Sequence, residues 1–216
     1  MGQKVNPKVF RLGTIFTWGS RWFADDKRYK HLLLEDVLLR RKLESRLGSA
    51  GLSRIEIERS INRIDIIIFV SRPGVVIGRG GTGLEELKKY VNSFFKKQGK
   101  KDTLKVEIKV EPVKEPNLDA SIVARTVAEQ LAKRMPHKRV VNQAIERVMN
   151  AGAKGVRIML SGRIAGAEIS RREKYQKGTV PLSTIRAEVD FAIHPSLTKS
   201  GYIGVKVWIC RGEKKI

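Results

Sequence analysis

The stretch Gly74-Val-Val-Ile-Gly-Arg-Gly-Gly-Thr-Gly-Leu-Glu-Glu-Leu87 decides the fold, because it joins a glycine-rich loop directly to a helical pattern. Apolar side chains recur at helical spacing from Leu84 through Leu87 and Val91 to Phe94. Glycine lets a ligand lie against bare backbone, and the amides at a helix N-terminus favour an anion. The stretch therefore predicts a helix whose first turn can receive an anionic ligand.

Hydrophobic periodicity around this loop predicts the flanking elements. A helix is expected from Glu35, with Leu39, Leu43 and Leu47 on its core face and Leu38 widening that face. Two runs of alternating apolar residues follow, at 53–59 and 64–70, and a third lies at 104–110 after the connection at 100–102. The predicted order is α-β-β, a short turn, the glycine loop, and α-β.

The remainder of the chain predicts a second α+β domain, with two helices packed on a mainly antiparallel sheet. The helices are expected at 118–135 and 138–151, with strands at 156–161, around 167–172, at 187–193 and at 205–211. The predicted divisions are a basic and aromatic arm at 1–34, a first domain at 35–111, a linker at 112–117, a C-terminal domain at 118–212 and a tail at 213–216.

The composition points to a polyanionic partner. The chain has 44 Lys and Arg against 22 Asp and Glu, a formal net charge of +22. Such an imbalance costs stability through self-repulsion, so a large acidic partner that neutralises it is expected. No apolar run approaches the roughly 20 residues of a spanning helix, and the N-terminus lacks the apolar core of a signal peptide. We expect no membrane partner.

The cysteine and histidine content argues against a metal site. Cys210 is the only cysteine, so a Cys-based zinc site and an intramolecular disulfide are excluded. The three histidines, His31, His137 and His194, have no ligand-like spacing. We expect no metal and no other cofactor.

Three kinds of site use glycine loops of this type. A P-loop requires Gly-Lys-Ser/Thr at its end, but Gly83 is followed by Leu84-Glu85, which excludes a nucleoside triphosphatase. A dinucleotide-binding G-x-G-x-x-G must directly follow a strand, whereas Pro73-Gly74 intervenes, and neither Asp102 nor Glu111 is placed to bind the ribose. The third is the KH module, whose G-x-x-G loop clamps the backbone of four nucleotides. The alternative is a helix-entry turn whose glycines serve only tight packing.

In the KH interpretation each loop residue has a role. Gly78, Gly80 and Gly81 supply bare backbone, and Arg79 adds a positive charge and a stacking plane. Val76 and Ile77 are expected to form an apolar wall beside the bases.

The motifs in order resemble a known family. The I-G-x-x-G loop with α-β-β before it and α-β after it resembles a type II KH domain (α-β-β-α-α-β). The whole chain resembles the bacterial-type ribosomal protein three of the small subunit. The motifs that carry this resemblance are Met1-Gly-Gln-Lys-Val-Asn-Pro, Arg72-Pro-Gly-Val-Val-Ile-Gly, Ser161-Gly-Arg-Ile-Ala-Gly-Ala-Glu-Ile, Gly178-Thr-Val-Pro-Leu, Ile185-Arg-Ala-Glu-Val-Asp and Gly204-Val-Lys-Val-Trp-Ile.

The resemblance implies a non-enzymatic protein of the cytoplasmic ribosome. Members bind ribosomal RNA in the head of the small subunit, neighbour other head proteins and line the messenger RNA entry site. An arginine pair followed by a lysine three residues later is credited with helping the ribosome unwind messenger. These positions align with Lys138, Arg139 and the neutral Asn142. The pair therefore keeps its charge, and the third position loses it.

Basic residues of the C-terminal domain form two further expected RNA contacts. Lys133 and Arg134 lie on the other side of Pro136 from Lys138 and Arg139, so all four are expected to share one corner. The second cluster is Arg163 with Arg171, Arg172 and Lys174. Such groups usually contact phosphate and set position without reading sequence. The alternative is a solvated turn between helices.

Other interpretations remain open at this point. A free-standing KH protein binding single-stranded regulatory RNA would carry the same loop. An enzyme would need Glu168, Glu173 and Asp190 as an acid/base set, although nothing in the sequence pairs them. The arm contains four aromatic residues, Phe16, Trp18, Trp22 and Phe23. Two interpretations are open for them: the rings stack on bases, or they form a local cluster that caps the next domain.

Overall fold

A computed structural model describes residues 4–97 and 105–214, in two compact units. Trp18–Lys114 form the glycine-loop unit, and Met1–Thr17 with Glu115–Ile216 form the C-terminal unit. The predicted arm at 1–34 thus contributes to both units, and the division at 114/115 falls within the predicted linker. Parts of the predictions for 1–3, 100–104 and 215–216 lie outside the described residues.

The glycine-loop unit has the predicted α-β-β-α-α-β order. After α1 (Pro7–Phe10), which belongs to the other unit, the elements are β1 (Ser20–Arg21), α2 (Asp26–Arg46), β2 (Leu52–Arg59), β3 (Arg63–Val70), α3 (Pro73–Ile77), α4 (Thr82–Lys97) and β4 (Lys105–Pro112). The sheet order is β1-β2-β3-β4, with β2 and β3 antiparallel and β4 parallel to β3.

The core of this unit lies on one face of its sheet. Ile57 and Ile66 meet Leu39 and Leu43 of α2 there, all fully buried. Leu38 is 42% exposed, so the prediction that it widens the core face was wrong. Each helical residue turns about 100°, which carries Leu38 away from its buried neighbour Leu39. The helix also begins earlier than predicted, at Asp26.

The C-terminal unit contains the predicted two helices and antiparallel sheet. Its main elements are α5 (Ala120–Ala132), α6 (His137–Asn150), β5 (Gly155–Gly162), β6 (Arg171–Gly178), β7 (Ala187–Thr198) and β8 (Gly201–Glu213). The sheet order is β6-β5-β8-β7. The strand expected around 167–172 starts only at Arg171, because a bend at 167–170 follows the 3₁₀ turn Ile164–Gly166, in which Ala165 has φ 55°.

Helices α5 and α6 bury one face of this sheet, and a loop covers one end of the other face. Val156, Ile158 and Leu160 of β5 point into the helix-side core. On the opposite face, Val180 and Leu182 pack against a small cluster that contains Trp208.

Arg11 fastens that loop to the segment before it. Its fully buried guanidinium donates to the carbonyl oxygens of Pro7, Pro181, Leu182 and Thr184 at 2.8–3.1 Å. Burial lowers the pKa of Arg11 from its ordinary value.

Among the described residues, no helix is long and apolar enough to cross a membrane.

Candidate nucleic-acid interface

The glycine loop has a backbone that few other residues could adopt. Gly78 has φ 71° and ψ −179°, Gly80 has φ 62° and Gly81 has φ 84°. The conformation of Gly78 is almost restricted to glycine, whereas that of Gly80 is the left-handed region that Asn and Asp also visit. The loop is thus fixed by backbone requirements before any ligand is considered.

The glycines of the loop serve two different purposes. A Cβ on Gly83 would lie 2.6 Å from the carbonyl oxygen of Val76, and one on Gly78 would lie 3.0 Å from the Gly83 nitrogen. These two residues allow α3 and α4 to approach closely. A Cβ on Gly80 or Gly81 would have no atom within 4 Å. Tight packing therefore explains Gly78 and Gly83 and leaves the open backbone at Gly80 and Gly81 available to a ligand.

The apolar wall beside the loop differs from the prediction. Val76 is 3% exposed and packs in the core of the unit, so its assignment to the wall was wrong. The short helix α3 turns Val75 outward, 56% exposed, and leaves Ile77 38% exposed. Val75 and Ile77 are therefore the apolar side chains presented near Arg79. The exposure of Val75 could have been predicted from Pro73, because proline at the first position of a helix fixes where α3 begins and therefore which of its side chains point outward.

The predicted basic corner of the C-terminal unit forms where α5 ends and α6 begins. Lys133 is the C-cap of α5, and Lys138 and Arg139 lie in the first turn of α6. All three are exposed. Arg134, between them, has φ 61°, an uncommon conformation for a residue with a side chain. The corner thus presents four cationic side chains within seven residues, with no side-chain ion pair found for them among the described residues.

Within the C-terminal unit, a groove of about 680 Å³ adjoins the corner. Its lining includes Arg134, His137, Arg163 and Lys199, together with apolar side chains. The structure therefore places Arg163 and Arg134 on the same groove, an arrangement that the sequence did not predict. Lys199 was also missed, because it follows β7 by one residue and lies 65 positions from Arg134.

The second predicted basic cluster is divided by strand geometry. Along β6 the side chains alternate between faces, so Arg171 shares the helix side with Glu173 and Tyr175, while Arg172 and Lys174 point to the other side. Glu173 contacts the His137 ring at 3.2 Å and accepts a hydrogen bond from Tyr175 at 2.6 Å. Burial, followed by this hydrogen bond, raises the pKa of Tyr175 to about 12.

The carboxylates considered for acid/base chemistry have separate partners. Asp190 accepts from the Ala120 amide at 2.8 Å and pairs with Lys8 at 2.6 Å, while Glu173 is engaged as described above. Glu168 is exposed. Within residues 4–97 and 105–214, no group of three metal-ligating side chains is present.

The aromatic arm does not form one cluster. Trp22 packs locally, since its indole donates to Asp36 at 2.8 Å and its ring is tilted against Tyr29 at 5.3 Å. Phe16 belongs to the C-terminal unit, and Trp18 and Phe23 of the other unit are exposed. The capping interpretation is therefore confirmed for Trp22 alone.

Comparison with known proteins assigns the two units. Residues 38–118 match the KH domain model, and residues 127–209 match the C-terminal domain model of ribosomal protein S3. The small ribosomal subunit protein uS3 of Carboxydothermus hydrogenoformans is 46% identical over 99% of this chain and 93% of its own length. The chain belongs to the uS3 family.

Further uS3 relatives agree. The protein from Caldicellulosiruptor saccharolyticus is 48% identical, over 99% of this chain and 93% of that protein. The one from Clostridioides difficile is 45% identical, over 99% of this chain and 76% of that protein. The names that these relatives carry are those of a ribosomal protein and not of an enzyme. The recognised family, the KH fold and the non-enzymatic class are thus as the sequence predicted.

Proposed function

We propose that this uS3 chain is a structural RNA-binding protein of the small-subunit head, which binds ribosomal RNA, lines the messenger RNA entry site and supports translation. The observation that carries the proposal is similarity to uS3 proteins over 99% of the chain. Its neighbours would be other proteins of the head and entry site, in the cytoplasmic ribosome. The charge of +22 is suited to an RNA partner whose phosphates neutralise it.

The two surfaces would contact RNA in different ways. At the loop, a sugar-phosphate backbone would lie against Gly80 and Gly81, where no side chain intervenes, with Arg79 as a counter-charge. Val75 and Ile77 would contact the bases. At the corner, long cationic side chains would contact phosphates at positions that depend little on sequence.

The corner is our proposed contribution to messenger RNA entry. Lys138 and Arg139 project from the first turn of α6, and Asn142 lies three residues beyond Arg139 on the same helix face. Because the chain carries no P-loop, the free energy for opening messenger structure would come from translocation by the ribosome. The cationic corner would hold the separated strand by its phosphates.

The first experiment tests residence in the ribosome. Lysate from cells that express a tagged chain is sedimented through sucrose, and the fractions are probed at high and low magnesium. We expect near-stoichiometric co-migration with small subunits in both conditions. A peak confined to the free-protein fractions would reject the ribosomal proposal and favour a free-standing KH protein.

The second experiment tests the corner. Ribosomes that carry the Lys138→Gln and Arg139→Gln double variant are compared with ribosomes carrying Lys105→Gln and Lys109→Gln, which remove the same charge from exposed positions of β4. We expect the corner variant alone to slow translation of messenger with a stable hairpin, with little effect on unstructured messenger. Equal rates for both variants on hairpin messenger would exclude the corner.

The third experiment tests the loop. The Arg79→Asp and Gly80→Asp double variant reverses the charge and places a carboxylate on the open backbone, in a conformation that Asp tolerates. We expect weaker binding of the full chain to single-stranded RNA with an unchanged circular dichroism spectrum. Unchanged affinity would mean that the loop serves protein packing.

A further inference from the structure

The C-terminal sheet has an open face, defined here as the side of β5–β8 turned away from α5 and α6. Cross-strand register places three rows of side chains on it. The rows are Gln176, Arg157, Trp208 and Phe191; Lys174, Met159, Lys206 and Ile193; and Arg172, Ser161, Gly204 and Pro195. Beyond them, Tyr202 pairs with Leu197. Among the described residues, the loop held by Arg11 packs at the end near Trp208, where it shares a cluster with Phe191 and Met159.

The charge within these three rows has one sign. Arg157, Arg172, Lys174 and Lys206 lie within the rows, and no carboxylate does. None of the four forms an ion pair with another described residue. Arg157 lies over the Trp208 ring, 4.9 Å from its centroid, and its buried Nε lacks a hydrogen-bond partner in the described part of the chain.

The outer face of the glycine-loop sheet provides an internal contrast. There Arg21 pairs with Glu56 and Glu58, and Arg63 pairs with Asp65 and Glu107, at 2.5–2.9 Å. That face neutralises its own charge, so it needs no charged partner. The open face of the C-terminal sheet leaves four cations to be neutralised from outside, which favours a polyanion.

The apolar part of the open face narrows the choice of polyanion. Tyr202 is 67% exposed, Leu197 62% and Ile193 56%. Together they form a contiguous apolar strip along β7 and β8, next to the cations. Gly204 and Ser161 lie between the cations and the apolar strip, and because they are small they leave a depression at the centre of the face. A duplex would present only phosphate and sugar to this strip, whereas an unpaired strand can place bases on it.

We infer that the open face is a third binding site for single-stranded RNA, with phosphates on Arg172, Lys174 and Lys206 and bases on Tyr202, Leu197 and Ile193. The inference rests on the proposed RNA-binding function and adds a surface distinct from the loop and the corner. A four-stranded sheet carrying stacking side chains is a geometry that proteins use to bind unpaired bases.

The test uses the full chain and two probes, a ten-nucleotide oligouridylate and an RNA duplex of the same length. All variants are made in a background with Arg79→Asp, Gly80→Asp, Lys138→Gln and Arg139→Gln, so that neither the loop nor the corner masks the effect. We expect Tyr202→Ala to weaken oligouridylate binding about tenfold through lost stacking, and Tyr202→Phe to leave it unchanged. The double variant Lys174→Gln, Lys206→Gln should reduce the slope of log affinity against log salt concentration by about 1.4, because each of the two lost phosphate contacts contributes roughly 0.7.

The matched control is Lys105→Gln with Lys109→Gln, which should preserve the slope. If Tyr202→Ala binds oligouridylate as the parent does, the inference is overturned, and it is equally overturned if the lysine variants weaken duplex and single strand alike. Open-face variants that keep full RNA affinity but lose a neighbouring protein in subunit reconstitution would identify a protein occupant and reject the RNA site. Failure of the chain to sediment with small subunits is a separate result, which rejects the proposed function instead.

Discussion

The glycine loop and the groove of the C-terminal unit both contain residues with positive φ, but the two sites place different residues there. The glycine loop uses Gly78, Gly80 and Gly81, whereas the groove of the C-terminal unit uses Arg134 at φ 61° and Ala165 at φ 55° beside a single glycine, Gly166 at φ 82°. A residue with a Cβ in this region costs about 1–2 kcal/mol. Where the ligand must reach the backbone, side chains are absent. At the corner, the strained residue Arg134 keeps a charged side chain.

The largest effect that would sharpen this comparison is expected from Gly83→Ala. Alanine normally stabilises a helix relative to glycine, but here its Cβ would meet the Val76 carbonyl oxygen at 2.6 Å and the Ile77 carbonyl oxygen at 3.1 Å. Since these are backbone atoms, we expect a loss of about 3 kcal/mol in local stability. Hydrogen exchange of the α4 amides in the full chain would measure it.

Gly74→Ala is the matched control, because it lies in α3 with no atom within 4 Å of the added Cβ. It should leave exchange in α4 unchanged or slightly slower. Equal protection in the two variants would show that α3 and α4 can separate at little cost, contrary to the packing role assigned to Gly83.

A smaller loss is expected from Gly78→Ala. Its backbone, with φ 71° and ψ −179°, is almost restricted to glycine, so alanine should cost about 2 kcal/mol. Gly80→Asn should cost less than about 1 kcal/mol, because asparagine visits the left-handed region. The same exchange measurement compares them. If Gly80→Asn proved the more damaging to stability, the division of the loop into packing and open glycines would fail.

Arg134→Gly is expected to separate stability from binding. Relief of about 1 kcal/mol of strain, partly offset by the greater freedom of glycine in the unfolded chain, should stabilise the C-terminal unit by about 0.5 kcal/mol. RNA binding should weaken because one cation is lost. Ala165→Gly should give similar stability with unchanged RNA affinity. Thermal unfolding and filter binding would test both, and full RNA affinity in Arg134→Gly would mean that the strained arginine has no ligand.

The smallest effect is expected from Asn142→Lys, which adds a cation on the α6 face that carries Lys138 and Arg139. One further phosphate contact should steepen the salt dependence of single-stranded RNA binding by about 0.7. Placing the same lysine at exposed Gln143 should have less effect, because Gln143 lies about 100° around α6 from Asn142 and about 140° from Lys138. Identical slopes for the two variants would show that RNA does not follow the Asn142 face.

Local patterns predicted much of the fold because they report burial directly. Alternation in β2, β3 and β4 identified their buried faces, and the spacing of Leu39 and Leu43 identified the core side of α2. The pattern failed for Leu38 and Val76, where an apolar residue has two possible surroundings. Composition cannot distinguish an exposed leucine from a buried one, since many apolar atoms remain on protein surfaces.

The sequence by itself determined the α-β-β-α-α-β order, the position of the glycine loop, the cationic character and the uS3 family, because each follows from neighbouring residues or from motifs in order. Only the tertiary structure decided that Arg163 and Lys199 line one groove with Arg134, and that four cations share one open face. These depend on strand register and on which face of the sheet the helices cover. Both are set by contacts between residues far apart in the chain, so no local pattern reports them.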